Sequence, residues 1–175
     1  VELITALHYV FDCPVDKLLF DVGHQAYTHK IITGRRDSFY NLRSDEGVSG
    51  FPNASESIYD AFTMGHSSTS LSLGVGFARA RDILGLDYNV VCVIGDGAFT
   101  GGMAFEALND IGANKEKMII VLNDNKMSIS KNVGALNEYL AKLRLSKRYL
   151  NVKYNVKKAV SALPFFGDRV VNFLD

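Results

Sequence analysis

The sequence is short of cysteine, of any excess of one charge sign and of long apolar runs, and each shortage removes a class of function. Two cysteines, Cys13 and Cys92, are too few for a disulfide framework. Cys92 also sits inside an apolar, strand-like run, so a reducing compartment is expected. Nineteen Lys and Arg balance nineteen Asp and Glu, which leaves no overall field to attract nucleic acid or an anionic membrane surface. The expected partners are small molecules or other subunits. No apolar run approaches the ~18 residues that a membrane span needs, and no basic-then-apolar leader opens the chain. A soluble protein is expected. Proline occurs only three times against fifteen glycines.

What is present suits one α/β domain, since 175 residues with 47% hydrophobic content suffice for a substantial core. Three short apolar runs, Lys17 to Val22, Asn89 to Ile94 and Lys117 to Leu122, read as parallel strands covered on both faces. Between the last two, Gly101 to Gly112 reads as a helix ending at a glycine cap, which makes a βαβ unit. A further helix is expected from Ser70 to Leu84, closed by Gly85. The first residues, Glu2 to Phe11, carry helical spacing with Leu3, Leu7, Val10 and Phe11 on one side. Because the chain opens at Val1 in the middle of such a pattern, a piece of a longer protein is expected. Ser44 to Ser57 has no sustained period and reads as a loop. The basic stretch from Lys142 to Lys158 interleaves Leu, Val and Tyr, which fits helices with a solvated face.

The stretch Val91 to Asp110, VCVIGDGAFTGGMAFEALND, sets Asp96 between two glycines where a buried strand gives way to a helix. In an open parallel sheet, ligands bind at the carboxyl ends of the strands. The glycines let a phosphate approach the backbone, and the positive end of the following helix is expected to face the same space. A carboxylate there repels a bare phosphate, and a divalent cation between the two removes the conflict, since Mg²⁺ bridges carboxylates to phosphates. Asp-Gly is also a good turn pair, which explains GDG equally well when it is taken alone. The turn from Asn123 to Met127 then matters, because adjacent parallel strands bring their carboxyl ends together. Asn125 offers a side-chain oxygen, and a main-chain carbonyl can add another.

GDG followed at this distance by an Asn-containing turn resembles the metal and diphosphate motif of thiamin diphosphate enzymes. Four stretches narrow the resemblance: Asp21 to Phe39 (DVGHQAYTHKIITGRRDSF), Met64 to Ala78 (MGHSSTSLSLGVGFA), Gly95 to Asn109 (GDGAFTGGMAFEALN) and Leu122 to Leu136 (LNDNKMSISKNVGAL). Together they are similar to the 1-deoxy-D-xylulose-5-phosphate synthase family. The resemblance implies the transketolase-like α/β fold of a diphosphate-binding domain, a parallel sheet flanked by helices, with residues 1–175 forming part of that domain. It implies Mg²⁺ held by Asp96, Asn125 and the main-chain oxygen of Met127. Gly97 and Ala98 are then expected along the diphosphate, and Gly65, His66 and Ser67 against thiamin diphosphate from a neighbouring loop. His24 is implied both as a cofactor contact and as a catalytic group at the reacting end, while His66 is open to a bracing role and His29 is expected to be structural.

The resemblance further implies joining of pyruvate to glyceraldehyde 3-phosphate with release of carbon dioxide, a step that feeds isoprenoid and thiamin biosynthesis. A homodimer in a bacterial cytoplasm, rather than a plastid, is the expected setting. The family's activating glutamate belongs to a separate pyrimidine-binding domain, and none of Glu46, Glu56 and Glu106 matches it. Lys126 stands where the family has an acidic residue, and Asn53-Ala54 interrupts a loop that is often basic. Two alternatives stay open: another transketolase-type enzyme, and a non-catalytic binding or regulatory module derived from one.

Overall fold

The computed structural model describes residues 1–45 and 47–124, and beyond them only Lys142 and Asn155. Every element below lies in the unit Val1–Ile129. In chain order these are α1 (Glu2–Val10), β1 (Lys17–Phe20), α2 (Tyr27–Lys30), α3 (Ser70–Leu84), β2 (Val90–Gly95), α4 (Gly102–Asn114) and β3 (Ile119–Asn123). The strands form a parallel sheet in the order β1-β2-β3. Lys17 pairs with Val90 and Phe20 with Val93, while Val91 pairs with Ile119 and Gly95 with Asn123.

The alternation of β2 divides the core in two. Val90, Cys92 and Ile94 point into a cluster with Leu71 and Ala78 of α3 and with Ala104 and Ala107 of α4. Val91 and Val93 point the other way, into Leu18 and Phe20 of β1 and Ile4 and Leu7 of α1. A strand buried on both faces has no solvated side to alternate toward, which is why the run VVCVI is continuously apolar. Each such side chain contributes roughly 1.5–3 kcal/mol by leaving water. Burial pushes the Cys92 thiol up to about 12, with the nearby Asp21 charge adding to the effect, so this cysteine acts as a small core hydrophobe.

The three strands and the βαβ unit occur where the sequence pattern puts them, with shifted ends. β1 stops at Phe20 because Asp21 and Val22 enter a turn, and Val22 has a left-handed backbone (φ 58°). β2 and β3 each run one residue further at their carboxyl ends than the apolar runs do. α3 spans Ser70–Leu84 and closes on Gly85 in the left-handed conformation, as the glycine signal predicts. The expected cap at Gly112 is corrected, since α4 continues through it to Asn114 and Lys115 takes the left-handed position. Val10 is corrected too: it is 70% exposed, and the buried stripe of α1 is Ile4 and Leu7. Apart from Lys142 and Asn155, both exposed, the basic stretch falls outside the described residues.

Candidate active site at the carboxyl ends of the strands

Three turns meet where β1, β2 and β3 end. After β1, the Asp21 amide donates to Val93 O (2.7 Å) and continues the ladder for one residue. Val22 and Gly23, at φ 58° and 102°, then bend the chain sharply into a 3₁₀ turn, His24–Ala26. His24 is exposed at the start of that turn. The next residue, Gln25, accepts a hydrogen bond from Asn123 Nδ2 at the end of β3 (2.8 Å). This bond crosses over the end of the central strand. At Gly95 the nearest atoms to an added Cβ are those same two partners, Gln25 Nε2 at 3.9 Å and Asn123 O at 4.0 Å.

After β2, Asp96 is half-buried and Gly97 exposed. A 3₁₀ turn, Ala98–Thr100, and the extended Gly101 come next, and α4 starts at Gly102, one residue after the expected Gly101. The third turn precedes α3. Gly65, His66 and Ser67 are exposed on it, while Ser68 is buried with a left-handed backbone (φ 66°). The Ser68 hydroxyl donates to Ala98 O (2.7 Å), so the loop containing Gly65 to Ser67 is fastened to the turn containing Gly97 and Ala98. Asp21, with no exposure, accepts from the Ser68 and Ser70 amides at 2.8 and 3.0 Å. Beside this loop lies a mainly apolar cavity of about 580 Å³, lined among others by Phe62, Met64, His66, Leu73 and Met103.

His24, Gly65, His66, Ser67, Asp96, Gly97 and Ala98 therefore all lie on turns at one end of the sheet. Asn125 and Met127, the other two residues expected to hold a metal, fall outside the described residues. Among the described residues no group of three or more His, Cys, Asp or Glu is placed to hold an ion. The donors at the ends of β2 and β3 are oxygens, from Asp96, Asn123 and Asp124. A small set of oxygen donors beside a glycine turn fits Mg²⁺, which takes one or two carboxylates and completes its shell with phosphate oxygens and water. Asp21 is the residue that the motif reading missed. Its signal was an acidic side chain directly after an apolar strand, inside a stretch valued for its histidine.

A second polar cluster lies under α2 and faces inward. Lys30, with no exposure, donates to Glu56 Oε2 (2.7 Å) and Ser49 O (2.8 Å). Arg35 grips Asp60 through both terminal nitrogens, each at 2.7 Å, and Asp60 also accepts from the Asn53 amide (2.8 Å). Burial opposes ionisation of Asp60, but hydrogen bonds from Arg35, His29 and Asn53 outweigh it and hold the carboxyl well below the usual range. With Asp60 ionised, His29 Nε2 donates to it across 2.9 Å, and His29 Nδ1 shares a hydrogen bond with His8 Nε2 at 2.8 Å. Burial first, and the neighbouring His29 second, lower the affinity of His8 for a second proton.

The 1-deoxy-D-xylulose-5-phosphate synthase family model matches residues 1–175. The chain is 54% identical over its full 175 residues to the 1-deoxy-D-xylulose-5-phosphate synthase of Clostridium kluyveri, and 56% identical to that of Clostridium tetani. It spans 28% of the length of each. Among solved structures, transketolase from Campylobacter jejuni matches 80% of this chain and 27% of its own, with TM-score 0.64 and 22% identity, a likeness of fold alone. The whole length of this sequence, with its GDG turn between two parallel strands, thus belongs to the 1-deoxy-D-xylulose-5-phosphate synthase family.

Proposed function

We propose that this chain is the part of a 1-deoxy-D-xylulose-5-phosphate synthase that holds the diphosphate end of thiamin diphosphate with Mg²⁺. The observation that carries this reading is the register of Gly95 with Asn123, which brings the end of β2, followed by Asp96, against the end of β3, followed in sequence by Asp124 and Asn125. Asp96, Asn125 and the main-chain oxygen of Met127 would hold the ion. Gly97 and Ala98 would lie along the diphosphate, and Gly65, His66 and Ser67 would contact the cofactor from the loop before α3. Because the chain spans 28% of its relatives' length, turnover is assigned to the longer protein. In that protein it forms part of an N-terminal diphosphate-binding domain, with pyrimidine-binding and C-terminal domains elsewhere and a homodimer as the working form.

The intact enzyme would join pyruvate to glyceraldehyde 3-phosphate, giving 1-deoxy-D-xylulose 5-phosphate and carbon dioxide. When bound, thiamin diphosphate supplies the electron sink for the decarboxylation and the carbon nucleophile for carbon–carbon bond formation. The chain's own residues do the rest. Asp96 would hold the ion, whose positive charge lets a diphosphate approach the glycine turn despite the carboxylate. His24, exposed on the turn after β1, orients the substrate or moves a proton through an imidazole nitrogen. The apolar wall beside His66 keeps water from one side of the site.

Calorimetric titration of thiamin diphosphate with Mg²⁺ into the full-length protein and its Asp96→Ala variant tests the reading. Asp96→Ala is expected to abolish metal-dependent cofactor binding while the protein stays folded. Unchanged cofactor affinity would remove Asp96 from the metal site.

A further inference from the structure

We propose that Asp21 and Ser68 are positioning residues for the cofactor site: together they set the Gly65–Ser67 loop and the Gly97–Ala98 turn at a fixed separation and tie both to β1. The proposal rests on the cofactor reading above and adds two residues that contact no ligand in it. Ser68 is the junction. Its amide donates to Asp21 Oδ1 (2.8 Å), its hydroxyl donates to Ala98 O (2.7 Å), and only 8% of it is exposed. One buried residue thereby links the ends of β1 and β2 through the loop between them and α3.

Helix stability alone does not account for this arrangement. The N-cap of α3 is Thr69, whose hydroxyl turns back to His66 O (3.0 Å) and caps nothing in the helix. The first-turn amide of Ser70 is satisfied instead by Asp21 Oδ2 (3.0 Å), from 49 positions earlier in the chain. A local Ser, Thr, Asp or Asn cap would serve the helix as well, but only a carboxylate directly after β1 also fixes where the loop stands against the sheet. The backbone of Ser68 points the same way. At φ 66° an L-residue meets its own carbonyl and glycine does not. Serine at that position supplies what glycine lacks, the hydroxyl on Ala98. The fit is close on the far side too, since a Cβ added to Gly101 would collide with Ser68 Oγ and Cβ.

Asp21 acts here as an acceptor for two amides, so its replacement by asparagine preserves shape while setting an NH₂ group against one of them. Ser68→Gly is the sharper variant. It relieves the left-handed backbone and deletes only the tie to Ala98.

Thiamin diphosphate with Mg²⁺ is titrated calorimetrically into the full-length protein and into its Ser68→Gly and Asp21→Asn variants, and the thermal midpoint of each cofactor-free protein is recorded. Ser68→Gly is expected to keep or exceed the wild-type midpoint and to weaken cofactor binding about three- to tenfold, the worth of one neutral hydrogen bond. Asp21→Asn is expected to weaken binding by more than Ser68→Gly does. Wild-type affinity in folded Ser68→Gly protein overturns the proposal, whatever the outcome for Asp21→Asn. Should Asp21→Asn fail to fold, Ser68→Gly decides alone. A wild-type protein that does not bind thiamin diphosphate overturns the cofactor reading itself, and so separates that failure from a failure of the positioning proposal.

Discussion

The cluster under α2 and the turns at the strand ends both gather polar side chains, but one closes on itself and the other opens outward. Under α2, two cations, Lys30 and Arg35, meet two carboxylates, Glu56 and Asp60, and a histidine pair completes the chain of bonds. At the strand ends, His24, His66, Ser67 and Gly97 face solvent. Buried charge must be answered within the protein, because an uncompensated ion costs several kcal/mol in a dry interior. A ligand site obeys the opposite demand and keeps groups available. Counting charged residues in a motif such as HKIITGRR therefore misleads, since His29, Lys30 and Arg35 are answered by loop 49–60, whereas Arg36 and His24, on the turn before the motif, are exposed.

The contrast can be broken most directly at Asp60. Asp60→Ala leaves Arg35 and His29 without their shared acceptor, and the expected loss is about 3–5 kcal/mol of unfolding free energy, read from urea denaturation of the full-length protein. A loss under about 1 kcal/mol would place the cluster among ordinary exposed ion pairs. On the open side, His24→Ala is expected to lower kcat roughly 10²–10⁴-fold while the urea midpoint stays at the wild-type value. A wild-type rate after that substitution assigns His24 to structure.

Acidity should act on the closed region in two separate windows. The lowered folded-state affinity of His8 for a proton means the unfolded chain binds more protons below its pKa of about 6.5. Stability should accordingly fall as the pH drops from about 7 toward 5, and His8→Gln should flatten that slope in thermal scans. The lowered pKa of Asp60 contributes stability that is complete above the ordinary carboxylate value of about 3.9 and is lost as the pH falls below it. The smallest effect belongs to Arg79, whose bonds to Asp110 and Glu116 link α3 to α4 and the turn after it at the surface. Arg79→Ala should leave the urea midpoint within error of wild type, because solvent screens such pairs.

The strands, the βαβ unit and the positions of His24 and Asp96 just after strands were legible because each depends on local pattern, whereas Gly65 to Ser67 and Ala98 were singled out by family resemblance alone. An apolar run between glycines announces a buried strand, and Gly85 announces a helix end. The closed cluster was not legible. Its bonds from His8, His29 and Lys30 join residues 19 to 31 positions apart, and no spacing in the chain says that His8 will meet His29. Asp21 stayed hidden for the same reason, since its partners lie 47 and 49 residues away. Lys115 carries no cap signal at all: a lysine occupies a left-handed position that glycine usually takes.

The register of the sheet also orders events in time. β2 meets β3 across 28 residues (119 − 91), whereas β1 meets β2 across 73 (90 − 17). Closing the longer loop costs more entropy before any pairing repays it, and non-local pairing of this kind slows folding. The β2-α4-β3 unit should consequently assemble before β1 docks on its free side. Because Asp21 lies at the end of β1, the bracing of the loop before α3 would be among the last contacts made. Pulsed hydrogen exchange during refolding reads this order directly, with amides of β2 and β3 protected ahead of those of Ser68 and Ser70; simultaneous protection would mean that the sheet forms in one concerted step.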